Sequence, residues 1–82
     1  MGERGRFVLA KLGVHIEGAF AGQVLAYYVN YCMSHDMEAV IDCQFIKSIS
    51  IETRKYFLES LENKKYPIEW LHVTQELREN LK

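Results

Sequence analysis

Three groups able to do chemistry stand where the predicted strands of this 82-residue chain end. An acid and a thiol, Asp42 and Cys43, follow the apolar run Ala39-Val40-Ile41, and His72 lies near the end of a later strand-like stretch. The carboxyl ends of parallel strands meet at one edge of a sheet, so these groups are expected to converge there. A cysteine beside a histidine would suit thiol catalysis. The opposing interpretation is that Cys43 is a small buried hydrophobe and that His72 lies on the Trp70 side of its strand. No motif ties the groups together, so we expect no enzyme.

A second chemical feature is a pair of serines between residues 44 and 50, where an extended stretch gives way to a helix. A phosphate added to Ser48 or Ser50 would lie at the positive N-terminal end of that helix, with Lys47 able to pair with it. The alternative is that one serine acts only as the N-cap. We expect this edge to bind a protein partner through five residues, namely Asp42, Lys47, Ser48, Ile49 and Ser50.

Metal and cofactor chemistry has no support in the spacing of the candidate ligands. The three histidines and two cysteines form no C-x-x-C or H-x-x-x-H grouping, and the glycines lack the context of a phosphate-binding loop. We expect neither a metal site nor a cofactor. Cys32 and Cys43 have no framework spacing and are expected to be free thiols, as is typical of a reducing compartment, so the cytoplasm is the expected location.

Charge and composition limit the kinds of partner. Lys and Arg together number 10 and Asp and Glu 11, and the resulting net charge of -1 gives no global field that would attract nucleic acid or an anionic membrane. No apolar segment reaches the roughly 20 residues that a membrane span needs. A small dimeric regulatory or nucleic-acid-associated protein, with Lys and Arg clustered only locally, stays as the alternative function.

The elements that must position these groups alternate along the chain. Strands are expected at 38–43 and 68–73, and helices at 19–34, at 51 to about 63 and after Thr74. Residues 6–17 alternate, with the apolar side chains Val8, Ala10, Leu12, Val14 and Ile16 on one side. Gly13 leaves open whether they form one bent strand or two. The order predicts a single α/β domain over residues 1–82, with a flexible terminus at 1–5. Its sheet is small and mainly parallel, with three to four strands and three helices in a β-α-β-α-β-α order.

The first predicted helix is apolar over most of its circumference. A helix that only covers a sheet needs an apolar arc of 100° or somewhat more, so this helix is expected to cover a further surface. One interpretation places its tyrosines at the rim of the domain with packed rings and hydrated hydroxyls. The other is self-association into a homodimer through Tyr27, Tyr28 and Tyr31.

Four segments resemble a known family when taken in order: IEG at 16–18, AVID at 39–42, FIKSIS at 45–50 and WLHVTQELRENL at 70–81. Together they make residues 6–82 similar to a trimmed STAS domain, the family of anti-sigma factor antagonists and sulphate-transporter cytoplasmic domains. The resemblance implies that Ser48 matches the phosphorylated serine and that the chain binds a partner protein under phosphorylation control, without catalysis. Lys47, Ile49 and Ser50 depart from the family's Asp, hydroxyl residue and Gly.

Overall fold

The computed structural model describes residues 5–10 and 12–80, so most of the predicted flexible terminus and Leu81 lie outside the described residues. Its elements are β1 (Arg6–Leu9), β2 (His15–Ile16), α1 (Ala19–Ser34), β3 (Glu38–Asp42), β4 (Ser48–Ile49), α2 (Ile51–Ser60), β5 (Ile68–Leu71) and α3 (Gln75–Asn80). The predicted α/β class with a mainly parallel sheet and three helices is confirmed. Within this described part of the chain, no helix has the length and apolar character that crossing a membrane requires.

The main sheet has three parallel strands in the order β1-β3-β5, and β2 pairs with β4 in a separate parallel ladder. Each crossover steps in the same direction across the main sheet. Because such crossovers are right-handed, α1 and α2 lie on one face, where they pack against each other.

Residues 6–17 form two short strands in different sheets, which settles the question that Gly13 left open. Gly13 has a φ of 103°, a left-handed conformation that glycine adopts without strain. The five apolar side chains predicted to share one side of this segment do not form a buried surface. Val8 and Val14 are each 45% exposed, and Ile16 alone of the five is buried. The chain leaves the main sheet after β1, and β2 then pairs with β4. Paired residues of β2 and β4 are one position further apart in the sequence than those of β1 and β3.

The two faces of the main sheet are built differently. Ala39 and Ile41 of β3 point into the core beneath the helices, whereas Val40 points to the opposite face. There Arg6 of β1 forms an ion pair with Glu69 of β5. Since β3 lies between these strands, the ion pair spans the central strand on the side of Val40, which is 1% exposed.

A side chain of α1 determines where helix α2 ends. Its last carbonyl, that of Ser60, accepts a 3.0 Å hydrogen bond from Asn30 Nδ2, and Asn30 Oδ1 accepts one from Glu62 N. This cap from α1 ends α2 at Ser60, earlier than the expected residue 63. Thr53 of α2 is fully buried, whereas Ile51, roughly 200° around the helix from it, is 86% exposed.

Candidate functional site

The chain between β3 and α2 makes an extra excursion before the helix begins. Cys43 N still donates to Leu71 O of β5 at 2.8 Å, and Ile46 N then closes a turn on Cys43 O. From Lys47 N, which donates to Val14 O at 2.7 Å, the chain follows β2 as β4. A direct crossing from strand to helix was expected. That expectation is wrong, because the two-residue strand β4 lies between β3 and α2. We call residues 44–51 the 44–51 edge.

Apolar side chains in the 44–51 edge divide into buried and exposed groups. Ile46 and Ile49 are 5% and 7% exposed and belong to the core, whereas Phe45 and Ile51 are 56% and 86% exposed. Ile49 was expected to contact a partner. That expectation is wrong, because its parallel pairing with the buried Ile16 turns the side chain inward.

The two candidate phospho-acceptors have different surroundings. Ser50 is the N-cap of α2: its Oγ accepts a 3.1 Å hydrogen bond from Thr53 N and lies 2.9 Å from Thr53 Oγ1. Thr53 Oγ1 in turn donates to Gly18 O at 2.8 Å. The hydroxyl of Ser50 is therefore part of the junction that ties the start of α2 to the start of α1. The predicted choice of a serine as N-cap is confirmed for Ser50.

Ser48 is half-buried and its hydroxyl contacts a histidine. Ser48 Oγ lies 2.7 Å from His15 Nδ1, and the two residues are directly opposite in the β2–β4 ladder. His15 and Lys47 are exposed. A hydroxyl that is reachable from solvent thus lies beside an imidazole and next in sequence to an ammonium group. Sequence reasoning missed His15, because its contact depends on a pairing of only two residues on each strand.

Asp42 and His72 do converge at the carboxyl edge of the main sheet. Asp42 Oδ1 lies 2.8 Å from His72 Nδ1 and accepts a 3.0 Å hydrogen bond from Gln44 N. The bond with His72, helped by that of Gln44, lowers the pKa of Asp42 below its ordinary value although partial burial opposes this. His72 has a φ of 57°, which ends β5 at Leu71. Asp42, which was expected to contact a partner, is thus engaged in holding the end of β3 to the end of β5.

Cys43 takes no part in this pair. Its side chain is 1% exposed, on the core face of β3, and burial raises the pKa of its thiol to about 11. A thiol with a raised pKa is mostly protonated at neutral pH and is a weak nucleophile. Cys32 is fully buried as well, and both cysteines are free.

A shallow groove borders the 44–51 edge between the start of α2 and α3. Its volume is about 490 Å³, and it is lined by Ile49, Ser50, Ile51, Arg54 and Glu79. Arg54 is half-buried, and its Nε is buried without a hydrogen-bond partner among the described residues. The groove therefore has an apolar wall beside one cationic and one anionic side chain, Arg54 and Glu79.

Of the three tyrosines of α1 expected to form a dimer interface, two are exposed and one is buried. Tyr27 is 73% exposed and Tyr31 40% exposed. Tyr28 is 6% exposed, because its hydroxyl reaches the seam between β1 and β3, where it accepts a 2.8 Å hydrogen bond from Val40 N and donates to Phe7 O or Val40 O. Tyr28 is therefore a structural residue. Phe20 and Val24, 77% and 45% exposed, lie on the same side of α1 as Tyr27 and Tyr31 and were missed.

Comparison of the chain with protein-family models, with curated proteins and with solved structures gives no match. The resemblance to STAS domains therefore stays a prediction, and the function is inferred from the geometry of the described residues.

Proposed function

We propose that this chain is a non-enzymatic regulatory module that binds a partner protein through the 44–51 edge. The observation that carries the proposal is the exposure of Phe45 and Ile51, at 56% and 86%, on either side of Ser48 in the chain. Two large exposed apolar side chains, of which Ile51 lines the groove, match the composition of protein interfaces, in which aromatic and apolar residues form the centre of the contact. The expected contact residues Asp42, Ile49 and Ser50 have structural roles instead, so the proposed contact set is Phe45, Lys47, Ser48 and Ile51.

Phosphorylation of Ser48 is proposed as the control of this binding. A phosphate adds about -1.5 to -2 charge at neutral pH and three strong acceptor oxygens. The 2.7 Å contact with His15 and the neighbouring Lys47 support the idea, since both side chains are able to donate charge-assisted hydrogen bonds to such a group. Ser50 is the weaker acceptor, because its hydroxyl already caps α2. New negative charge on Ser48 would alter the surface that a partner meets beside Ile51.

A thiol enzyme is less well supported than an interaction module. The candidate nucleophile Cys43 is buried with a raised pKa, and the imidazole of His72 is bonded to Asp42 instead. Rapid alkylation of Cys43 in the folded protein would favour the enzyme. We expect alkylation to be slow until the chain unfolds.

We also propose that the protein is located in the cytoplasm and forms a homodimer. The two free thiols support the cytoplasm, where thiols stay reduced. The exposed apolar side of α1 supports a homodimer, because monomeric proteins rarely expose large contiguous apolar patches.

A comparative pull-down tests the proposed function. The bait is the full chain as wild type, as Ser48→Asp, as Ile51→Glu and as the control Glu59→Gln, which changes an exposed side chain of α2 outside the 44–51 edge. We expect the wild type and the control to retain the same partner, Ile51→Glu to lose it and Ser48→Asp to change the amount retained. Identical partner lists for all four baits would overturn the proposal.

A further inference from the structure

One edge of the main sheet is open, and it adjoins the apolar side of α1. In the described part of the chain, no strand pairs with the outer edge of β1. Gly5 O accepts from Glu38 N, and Phe7 O also faces the seam with β3. Since successive residues of a strand point their backbone groups to alternate sides, the N–H and C=O groups of Arg6 and Val8 point outward. The outer edge of β1 therefore presents groups that another strand can pair with.

The exposed apolar side chains of α1 lie on the flank above this edge. Phe20, Val24, Tyr27 and Tyr31 are spaced by four, three and four residues and occupy roughly 60° of arc, and we call them the α1 stripe. Gly22, which faces Thr53 of α2, lies on the other flank of the helix. The Tyr31 ring centroid is 5.9 Å from that of Phe7 in β1. The α1 stripe and the outer edge of β1 therefore form one surface.

We propose that a second copy of this chain covers that surface. The two β1 strands pair antiparallel around a two-fold axis at Val8, which joins two three-stranded sheets into one of six strands. The two α1 helices then lie side by side on the same face, each with its stripe toward the other. This inference rests on the homodimer of the proposed function and specifies its contact surface. It uses no residue of the 44–51 edge, so an experiment can contradict partner binding without contradicting self-association, and the reverse.

The residue pattern of β1 fits pairing with itself. With Val8 opposite Val8 of the second copy, Phe7 meets Leu9 on the helix side and Arg6 meets Ala10 on the other side. Every pair is apolar or joins one charge to a neutral residue, so no like charges are opposed. In this register, the outward groups of Val8 exchange two backbone hydrogen bonds, and those of Arg6 reach Ala10.

The α1 stripe has the same compatibility with a symmetric contact. A two-fold interface places each surface against its own copy, so any charge near the axis meets its like. The α1 sequence AFAGQVLAYYVNYCMS contains no charged residue. Exposed tyrosine and phenylalanine are enriched in interfaces, where they contribute large apolar area with few rotatable bonds. A second copy therefore meets a surface that is apolar and uncharged along its length.

A disulfide trap tests this register directly. Paired residues that exchange hydrogen bonds across antiparallel strands have Cα atoms about 5.5 Å apart, within the range of a disulfide. Val8→Cys should therefore form a covalent dimer on mild oxidation, since Cys32 and Cys43 are buried. The control Ala10→Cys directly follows β1, but its twin would be four residues out of register, roughly 13 Å away, and should not cross-link.

Sedimentation of the unmodified chain and of two variants completes the test. We expect the wild type and the control Gln75→Glu, which adds a negative charge at an exposed position of α3, to be dimers. Tyr27→Glu should weaken association about tenfold or more with unchanged circular dichroism, because it introduces like charges into the two stripes that face each other. A monomeric wild type, equal cross-linking by Val8→Cys and Ala10→Cys, or a Tyr27→Glu dimer as tight as wild type would overturn the inference.

Discussion

Gly22 of α1 lies against the backbone of Thr53 in α2. A Cβ atom built on Gly22 would be 2.3 Å from Thr53 O and 2.8 Å from Phe57 N, far inside van der Waals contact with backbone atoms that cannot rotate away. Thr53 also donates a hydrogen bond to Gly18 O just before α1. This close approach positions the start of α2, and with it the 44–51 edge, relative to α1.

Gly22→Ala is expected to destabilise the protein. Helix propensity alone would favour alanine by about 1 kcal/mol, but forced overpacking typically costs about 1–3 kcal/mol, and here the obstacle is backbone. The free energy of unfolding from urea titration should therefore fall. Gln23→Ala, at an exposed position of the same helix, is the control and should leave stability unchanged or slightly raised. A Gly22→Ala protein as stable as wild type would mean that the helices are farther apart.

Tyr28→Phe is expected to cost about 1–3 kcal/mol, because it leaves the buried Val40 N–H without its acceptor. Tyr27→Phe, at the adjacent but 73% exposed position, should change stability by no more than about 0.5 kcal/mol. Equal effects of the two substitutions in chemical denaturation would contradict the buried role of Tyr28.

Alkaline pH should unfold the protein through the same hydroxyl. Burial raises the pKa of Tyr28 from 10.0 to about 12, so the folded state favours the neutral phenol. The stability that this group contributes is complete below pH 10 and is lost as the pH rises toward about 12. Ultraviolet titration should show one phenolate that forms late, and that step should be missing from Tyr28→Phe.

His72→Gly is expected to raise the pKa of Asp42 toward its ordinary value of 3.8, since the bond with His72 is the main cause of the lowered value. Glycine accommodates the φ of 57° at this position, so the change isolates the imidazole. In the wild type, the stabilisation from ionised Asp42 is present above the ordinary pKa and is lost as the pH falls through the lowered one. Carboxyl NMR titration measures both values, with His35→Gly as a control that removes a histidine just before the start of β3, whereas Asp42 lies at its end. An unchanged Asp42 pKa in His72→Gly would show that the pair does not form.

The two serines should separate in a stability measurement. Ser50→Ala removes the N-cap of α2 and should cost about 1 kcal/mol, whereas Ser48→Ala should cost no more than about 0.5 kcal/mol. The reverse order would show that Ser48, and not Ser50, caps α2, and would remove Ser48 as a candidate site of phosphorylation.

The parts of the fold that local sequence determines were predictable. Helix α1 begins after Gly18 and ends at Ser34 as expected, because a dense apolar pattern between those residues has few alternatives. Helix α3 follows Thr74 as expected, and Thr74 Oγ1 caps it by accepting a 3.1 Å hydrogen bond from Leu77 N. Strand β3 was predictable from the apolar run Ala39-Val40-Ile41.

The parts that depend on distant contacts were not predictable. Strand β4 has two residues, and only its pairing with β2 makes it a strand. Tyr27 and Tyr28 are chemically identical neighbours, and their different exposure follows from where the sheet lies beneath α1. In the same way, Ile51 faces solvent because Thr53 is held inward by Gly18 O, a contact between residues 35 positions apart.

Site-specific photocrosslinking tests the central claim, that the 44–51 edge is the surface on which a partner binds. A photoreactive benzoyl-phenylalanine is introduced in place of Ile51, and in a control in place of Glu59, which is exposed on the same helix. We predict that the reagent at position 51 links covalently to the partner, that position 59 gives little product, and that adding Ser48→Asp changes the yield at 51. A partner that is still captured but links through position 59, or through neither position, would contradict the account.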